Sequence, residues 1–233
     1  ALREYTVEAG RPDTITAEKL RVLRAHGVGR VSVNPQTMSD SVLEAIGRRH
    51  TAQDIVDALA LVRECGGFEV NMDLIAGLPT DTAGGFSRTL GAVLSLAPEN
   101  VTVHTLSLKR GSGLTLAGRP LPEAGEVRAM LDEAMERLAG SGYAPYYLYR
   151  QKNMSGNFEN TGYARPGKYG LYNILIMEEK QTIVALGAGS ITKRVFPNGR
   201  IERCDNVKDV GLYIEKIDEM IERKKELFAK VRA

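Results

Sequence analysis

The 233-residue sequence predicts an α/β protein: a partial (β/α) barrel followed by a smaller α+β C-terminal subdomain. Strand-like and helix-like patterns alternate steadily as far as Gly140, which is typical of parallel strands joined by right-handed crossovers. Successive strands here also carry polar residues on one alternating face, although both faces of a doubly covered parallel sheet should be apolar. After Gly142 the alternation stops. We therefore predict two domains, residues 1–142 and residues 143–233.

Four segments of the first domain are predicted to be strands, and the first three alternate apolar and polar side chains, as half-buried strands do. They are Glu4–Ala9, Arg30–Asn34, Phe68–Thr80, which ends in a Gly-Leu-Pro turn, and Val101–Leu108. Amphipathic helices are predicted after each strand, because apolar residues recur there at helical spacing. The first four helices are expected to be capped by Thr16, by Ser39 and Asp40, by Thr51 and by Asp81. The last of the series carries Val127, Met130, Leu131, Ala134 and Leu138 and ends at Gly140.

The second domain is predicted to mix strands with a closing helix. Strands are predicted at Tyr143–Tyr149, at Tyr172–Glu178 and Thr182–Leu186, which pair as a hairpin, and at Ile191–Phe196 before a Pro-Asn-Gly turn. The polar segment Arg150–Lys168 is predicted to be a loop. Val207–Phe228 carries apolar residues on one side and charged residues on the other, which predicts a single helix.

The composition is ordinary for a globular chain, with 43% hydrophobic and 26% charged residues. A formal net charge of +2 provides no strong field, so we expect no nucleic-acid partner. The sequence has no apolar run of about 18 residues, which predicts no membrane span. Cys65 and Cys204 are far apart, which argues against a disulfide scaffold and favours a cytoplasmic protein. The chain starts without Met at residues that already resemble a strand, so we expect it to begin inside a domain.

Polar residues of three predicted strands fall on one face. They are Thr6 and Glu8, then Ser32, Asn34 and Gln36, and then Asn71 and Asp73. Carboxylates and amides at strand ends suit a ligand with hydroxyl or amine groups, such as a ribose or an amino-acid head group. We predict that these residues line a ligand cavity at the carboxyl ends of the strands. The alternatives are a solvated sheet face and an ordinary buried hydrogen-bond network.

Few other residues suggest chemistry. Arg48 has a planar guanidinium that suits a ligand carboxylate, and the alternative is a solvated arginine at a helix end. His104 lies on a predicted strand and is expected to be structural, while His26 and His50 are expected at the surface. The sequence contains no P-loop, no Gly-x-Gly-x-x-Gly, no His-Glu-x-x-His and no Cys-x-x-Cys motif. No pair of nucleophile and base can be argued.

Three stretches, by their order and spacing, resemble the radical S-adenosylmethionine (SAM) enzymes of the oxygen-independent coproporphyrinogen III oxidase family. They are Val31-Ser-Val-Asn-Pro-Gln36, Gly47-Arg48 and Asn71-Met-Asp-Leu-Ile-Ala-Gly-Leu-Pro79. Tyr146–Met154 and Gly156–Asn160 resemble one branch of that family, the coproporphyrinogen dehydrogenases. The resemblance covers nearly the whole chain and implies a radical-SAM-type barrel.

The resemblance implies a SAM site made of Glu8, Gln36, Arg48, Asp73 and Ser107. Glu8 matches a glutamate that contacts SAM, although its spacing to Gln36 differs by one residue from the family pattern. Gln36 and Asp73 match residues that hold the nucleoside, and Arg48 matches the arginine that holds the methionine carboxylate. Ser107 matches a small residue against the cofactor.

The substrate implied by the resemblance carries propionates, which call for basic partners. Lys109, Arg110, Arg150 and Lys152 are the candidates, and the alternative is that they are solvated loop residues.

The family also holds a [4Fe-4S] cluster through a Cys-x-x-x-Cys-x-x-Cys motif, which this sequence lacks. Such clusters need thiolates, and neither Cys65 nor Cys204 has the required spacing. We therefore expect the chain to be the C-terminal portion of such an enzyme, without the first two barrel strands and inactive alone. An unpaired edge on its first strand is expected to lower solubility.

For the intact enzyme, the resemblance implies oxidative decarboxylation of coproporphyrinogen III propionates to vinyl groups, a step of haem biosynthesis. It implies SAM and the cluster as cofactors, and a tetrapyrrole and an electron-donor protein as partners. One alternative is a haem-binding or haem-transfer protein of the same superfamily without decarboxylase activity. Another is an unrelated barrel lyase that has no cluster.

Overall fold

The computed structural model describes residues 2–107, 120–150 and 158–230. Three of the predicted substrate residues, Lys109, Arg110 and Lys152, lie outside the described residues. The chain divides into two compact units, Ala1–Gly170 and Leu171–Ala233. None of the described helices is both long enough and apolar enough to cross a membrane.

The first unit is built on a six-stranded sheet in the order β1-β2-β3-β4-β6-β5. The strands are β1 (Thr6–Gly10), β2 (Arg30–Val33), β3 (Glu69–Ala76), β4 (Asn100–Thr105), β5 (Ala144–Tyr149) and β6 (Asn160–Ala164). Strands β1 to β4 are parallel, and β6 pairs antiparallel with both β4 and β5. The α/β class with a parallel sheet, which the sequence predicted, is confirmed.

Helices connect the parallel strands. They are α1 (Ala17–Ala25), α2 (Asp40–Ala45), α3 (Ala52–Cys65), α4 (Ala83–Leu96) and α5 (Ala124–Gly140), and a short 3-10 turn, Pro12–Thr14, precedes α1. Thr16 and Thr51 cap α1 and α3 as predicted, and Thr51 forms a full capping box with Asp54. The prediction that Asp81 caps α4 is wrong, because the Thr82 hydroxyl accepts the Gly85 amide instead.

The core lies between one face of the sheet and these helices. Val31, Val70 and Met72 on adjacent strands are fully buried, as are Ile55 of α3 and Phe86 of α4. Burying each such side chain contributes about 1.5–3 kcal/mol. The apolar side chains of each strand therefore pack in the core, and the polar side chains on the opposite face of the sheet are available for a site.

The first unit continues beyond the boundary predicted after Gly142, because β5 and β6 extend its sheet. Arg30 also ties the segment after β6 to the strands. Its Nη2 donates to Glu69 Oε2 at 2.5 Å and to the Lys168 carbonyl at 3.0 Å. A substrate-side role for residues 143–233 stays a prediction.

The second unit contains a β-hairpin and three helices. They are β7 (Ile191–Val195), β8 (Ile201–Asp205), α6 (Leu171–Met177), α7 (Val210–Glu215) and α8 (Ile217–Ala229). The strand predicted before the Pro-Asn-Gly turn is confirmed as β7, and its partner is β8.

Two predictions in the second unit are wrong. The strand predicted at Tyr172–Glu178 is the helix α6, because the periodicity of a short apolar run does not separate a strand from a helix. The predicted hairpin partner, Thr182–Leu186, is not paired with that segment; its residue Ile183 forms an isolated β-bridge to Lys193. The single closing helix is two helices, because the backbone leaves helical geometry at Lys216, where φ is −104° and ψ is 26°.

Candidate functional site

A polar surface covers the face of the sheet opposite the core. The strand register places Glu8 beside Ser32 and Ser32 beside Asn71. Asp73 lies beside Thr102 on the next strand. Residues in register share a face of the sheet, so the three polar strand faces predicted from the sequence form one continuous surface.

Asp73 lies near the carboxyl end of β3, and its two carboxylate oxygens have different partners. Oδ1 accepts a hydrogen bond from Asn71 Nδ2 at 2.8 Å. Oδ2 lies 3.6 Å from His104 Nε2. A carboxylate offers about four lone-pair positions, so both oxygens keep acceptor capacity. The side chain is 20% exposed, which leaves a ligand access to it.

The backbone holds Gln36 beside Asp73. The Gln36 amide donates to the Asp73 carbonyl at 2.9 Å, and the Gln36 carbonyl accepts from the Ile75 amide at 2.9 Å. Its φ of 67° lies in the left-handed region, which costs an L-residue about 1–2 kcal/mol. Such strain persists only where surrounding structure enforces it, and it clusters at functional sites. The structure thus brings two of the predicted site residues together.

Glu8 is exposed on the edge strand β1, yet neighbouring atoms still desolvate its carboxylate. Desolvation raises the pKa of Glu8, the Ser32 side chain lowers it, and the negative charge of Asp73 raises it. Ser32 Oγ and Asn34 Oδ1 lie near that carboxylate and are buried, but within the described ranges neither makes a hydrogen bond of good geometry. These two buried side chains therefore support the Glu8 carboxylate from within the sheet.

Arg48 and Ser107 both lie in connections that follow secondary-structure elements of the first unit. Arg48 lies between α2 and α3, and Ser107 lies just beyond β4. Both residues are half-buried. The Arg48 guanidinium makes no ion pair or hydrogen bond with the part of the chain that the structure describes, so it can receive a carboxylate.

His50 is buried, with 5% exposure, so the prediction that it lies at the surface is wrong. Burial lowers the pKa of His50, and the positive charge of Arg48 lowers it further. The Pro35 backbone acts in the opposite direction and raises this pKa. His50 therefore lies close to the segment that leads into Gln36.

Thr102, His104 and two tyrosines of β5 extend the polar surface, and none of them is among the predicted site residues. Thr102 Oγ1 lies 3.2 Å from both Asn71 Oδ1 and Tyr147 Oη. Tyr149 Oη lies 3.3 Å from His104 Nδ1. Burial raises the pKa of Tyr147. The alternation of valines with Thr102 and His104 in β4 is a signal that would have found those two residues.

Arg150 lies away from this surface. Its Nη2 donates to Glu159 Oε1 at 2.7 Å. It lines a cleft of about 460 Å³ together with Val103 and Tyr163, which belong to the core side of the sheet. A substrate-binding role for Arg150 stays a prediction.

Comparison with known proteins finds a radical SAM domain. The model of the radical SAM superfamily matches residues 4–92, a segment that contains Glu8, Gln36, Arg48 and Asp73. This match argues against the alternative of an unrelated barrel lyase.

The chain also resembles two curated proteins of Bacillus subtilis. It is 45% identical to the oxygen-independent coproporphyrinogen-III oxidase-like protein HemZ, over 98% of this chain and 47% of that protein. It is 30% identical to the heme chaperone HemW, over 94% of this chain and 54% of that protein. The chain spans about half the length of these relatives. The predicted resemblance to the coproporphyrinogen oxidase family is confirmed.

A solved structure supports the fold. Coproporphyrinogen III oxidase (HemN) from Escherichia coli, a radical SAM enzyme, matches with a TM-score of 0.70 and 22% identity. The match covers 93% of this chain and 49% of that one. The predicted radical-SAM-type fold is confirmed.

The two cofactors of the superfamily fit these residues differently. The open acceptor positions of Asp73, whose side chain is 20% exposed, suit the donors of SAM. Cys65 and Cys204 are free cysteines on α3 and β8. Among the described residues, no group of three or more His, Cys, Asp or Glu residues could hold a metal ion. The residues present therefore do not fit a [4Fe-4S] cluster.

Proposed function

We propose that this chain supplies the SAM-binding surface of a radical SAM protein that acts on a tetrapyrrole. The observation that carries the proposal is the 45% identity to HemZ, which extends over 98% of the chain. The polar surface around Asp73 supports it independently, because the half-buried carboxylate keeps acceptor positions that a polar ligand can use.

Five residues are proposed to hold SAM, and each suits a different part of it. Asp73 and Gln36 bind the nucleoside, because a carboxylate accepts from both hydroxyls of a ribose. Arg48 binds the methionine carboxylate through two parallel hydrogen bonds. Glu8 contacts the same cofactor, and Ser107 provides a small side chain beside it. When bound, SAM supplies the adenosyl group for radical chemistry, and the protein orients it and excludes water.

The reaction that we propose is the oxidative decarboxylation of coproporphyrinogen III propionates to vinyl groups, a step of haem biosynthesis. An anionic tetrapyrrole needs basic partners, for which Lys109, Arg150 and Lys152 remain candidates. The ligands of the [4Fe-4S] cluster are proposed to come from outside these residues, so the chain alone would not cleave SAM. A cytoplasmic electron-donor protein would reduce the cluster.

Anaerobic reconstitution of the full-length protein tests this function. Given iron, sulfide, a reductant, SAM and coproporphyrinogen III, it should release 5′-deoxyadenosine and a vinyl-bearing porphyrinogen, both measured by mass spectrometry. Asp73→Asn should reduce both products together. An Asp57→Asn variant, altered at an exposed position on α3, serves as the control and should match the wild type. Absence of both products would refute the decarboxylase proposal.

A second candidate is a haem-binding or haem-transfer protein without decarboxylase activity. The 30% identity to the heme chaperone HemW favours it. Stoichiometric haem binding by the reconstituted protein, with no vinyl product from coproporphyrinogen III, would support this candidate over the first.

A further inference from the structure

Two chains of side-chain contacts, here called arms, run from β5 across the sheet to the carboxylate of Asp73. In the shorter arm, Tyr149 Oη lies 3.3 Å from His104 Nδ1, and His104 Nε2 lies 3.6 Å from Asp73 Oδ2. In the longer arm, Tyr147 reaches Asp73 Oδ1 through Thr102 and Asn71, with successive distances of 3.2, 3.2 and 2.8 Å. One arm therefore ends at each of the two oxygens of the Asp73 carboxylate.

The shorter arm can set the orientation of the His104 ring. A Tyr149 hydroxyl that donates to Nδ1 leaves the ring proton on Nε2, which faces Asp73. A hydrogen bond at one imidazole nitrogen decides what the other presents, and such outer partners orient the groups that hold a ligand. The two rings also meet edge to face, with centroids 6.4 Å apart and planes at 72°.

The sheet is shaped to hold these tyrosines in place. The rings of Tyr147 and Tyr149 stack with an interplanar angle of 7°. A Cβ at Gly162 on the neighbouring strand would lie 1.8 Å from Cε1 of Tyr147, so only glycine leaves room for that ring. Asp73 is thus buttressed from a strand that lies outside the parallel part of the sheet.

We propose that Tyr149 and His104 are positioning residues that hold the Asp73 carboxylate in the orientation that accepts the ribose hydroxyls of SAM. They act through Asp73 and need not touch the cofactor. The inference rests on the proposed function, in which Asp73 binds the ribose of SAM. It adds two residues, from β4 and β5, to the five proposed to hold the cofactor.

Binding of S-adenosylhomocysteine to the full-length protein, measured by calorimetry, tests the inference without any turnover. Tyr149→Phe keeps the ring and removes the hydroxyl, so affinity should fall about two- to tenfold, as for one lost hydrogen bond. His104→Phe removes the link itself and should weaken binding at least as much. It also carries the test if the Tyr149 variant fails to fold. Tyr163→Phe is the matched control, because it removes the same phenolic hydroxyl from a tyrosine on the opposite face of β6. It should leave the affinity for S-adenosylhomocysteine unchanged.

A double-mutant comparison separates positioning from general structural support. If Tyr149 acts through Asp73, then Tyr149→Phe should cause no further loss in an Asp73→Asn background. An equal loss in both backgrounds, or a Tyr149→Phe variant that behaves like the Tyr163 control, would overturn the inference. That result leaves the proposed function standing as long as Asp73→Asn itself weakens binding. A wild-type protein that does not bind the probe would overturn the proposed function, and the inference with it.

Discussion

The Asp73 carboxylate accepts one hydrogen bond from Asn71 and lies next to His104. Its remaining lone pairs are available to a ligand, because the side chain is partly exposed. At the scale of the residue, this is the feature on which cofactor binding depends. Gln36 lies beside Asp73, because two backbone hydrogen bonds to β3 hold it there with a positive φ.

Asp73→Asn should weaken the binding of S-adenosylhomocysteine about ten- to hundredfold, because hydrogen bonds to a charged group contribute about 1.5–3 kcal/mol. Calorimetry of the full-length protein measures this. The matched control is Asp132→Asn, whose carboxylate is 66% exposed and pairs with Arg128 on α5. Equal affinity in the Asp73 variant and the wild type would contradict the assigned role.

The contribution of Glu8 to the stability of the fold depends on pH. Desolvation raises its folded-state pKa, so the folded protein favours protonated Glu8 over the charged carboxylate. The stability that comes from the protonated form is fully present below the ordinary pKa of 4.5 and is lost as the pH rises through the raised value. Glutamine mimics the protonated form at every pH. Glu8→Gln should therefore raise the melting temperature at about pH 7 but change it little at about pH 4.

Thermal melts of Glu8→Gln at the two pH values provide the measurement, with Glu136→Gln on the exposed side of α5 as the control. A gain in melting temperature that is the same at both pH values would show that desolvation of the carboxylate is not its cause.

At the scale of the element, the antiparallel pair β5–β6 closes the sheet beside β4, and its packing depends on one glycine. Tyr147 lies over Gly162, where it reaches Thr102. The residues in register are Thr102, Gly162 and Tyr147 on three adjacent strands.

Gly162→Ala should lower the free energy of unfolding by about 1–3 kcal/mol, because the added methyl group overpacks against the Tyr147 ring. Urea denaturation followed by circular dichroism measures the change. Gly125→Ala, in α5 with no neighbour within 4 Å of an added Cβ, is the control and should be neutral or slightly stabilising. Wild-type stability in the Gly162 variant would mean that the ring moves aside at no cost.

The elements differ in how well sequence reasoning predicts them. Strands β1 to β4 follow from alternating side chains, and the caps at Thr16 and Thr51 follow from local hydrogen bonding. Helix α6 was missed because seven residues with many apolar side chains fit either type of element. The place of β5 and β6 in the first sheet is a long-range pairing, which no local pattern reports.

At the scale of the whole molecule, the two compact units divide after Gly170. The main hydrophobic core lies within the first unit, from Ile15 to Tyr163. Strand β1 pairs only with β2 among the described residues, and a cleft of about 620 Å³ lies between it and α1. The expected effect of this edge on solubility stays a prediction.

A chain that ends at Gly170 should unfold in one cooperative transition, because the first unit keeps its complete core. A chain that ends at Gly142 is the informative comparison, since it loses β5 and β6 and leaves β4 unpaired on one side. It should melt at a clearly lower temperature or without cooperativity. Identical calorimetric transitions for the two truncated chains would favour the boundary predicted from the sequence.

The sequence alone determined the α/β class, the polar faces of three strands and the family, because alternation and motif spacing are local properties of the chain. It also pointed to Glu8, Gln36, Arg48 and Asp73 as candidate site residues. Only the tertiary structure showed that His104 lies beside Asp73 and contacts Tyr149, and that Arg150 lies on the other side of the sheet. Those contacts depend on the register of strands far apart in the chain, where one residue of slippage would move every side chain to the opposite face.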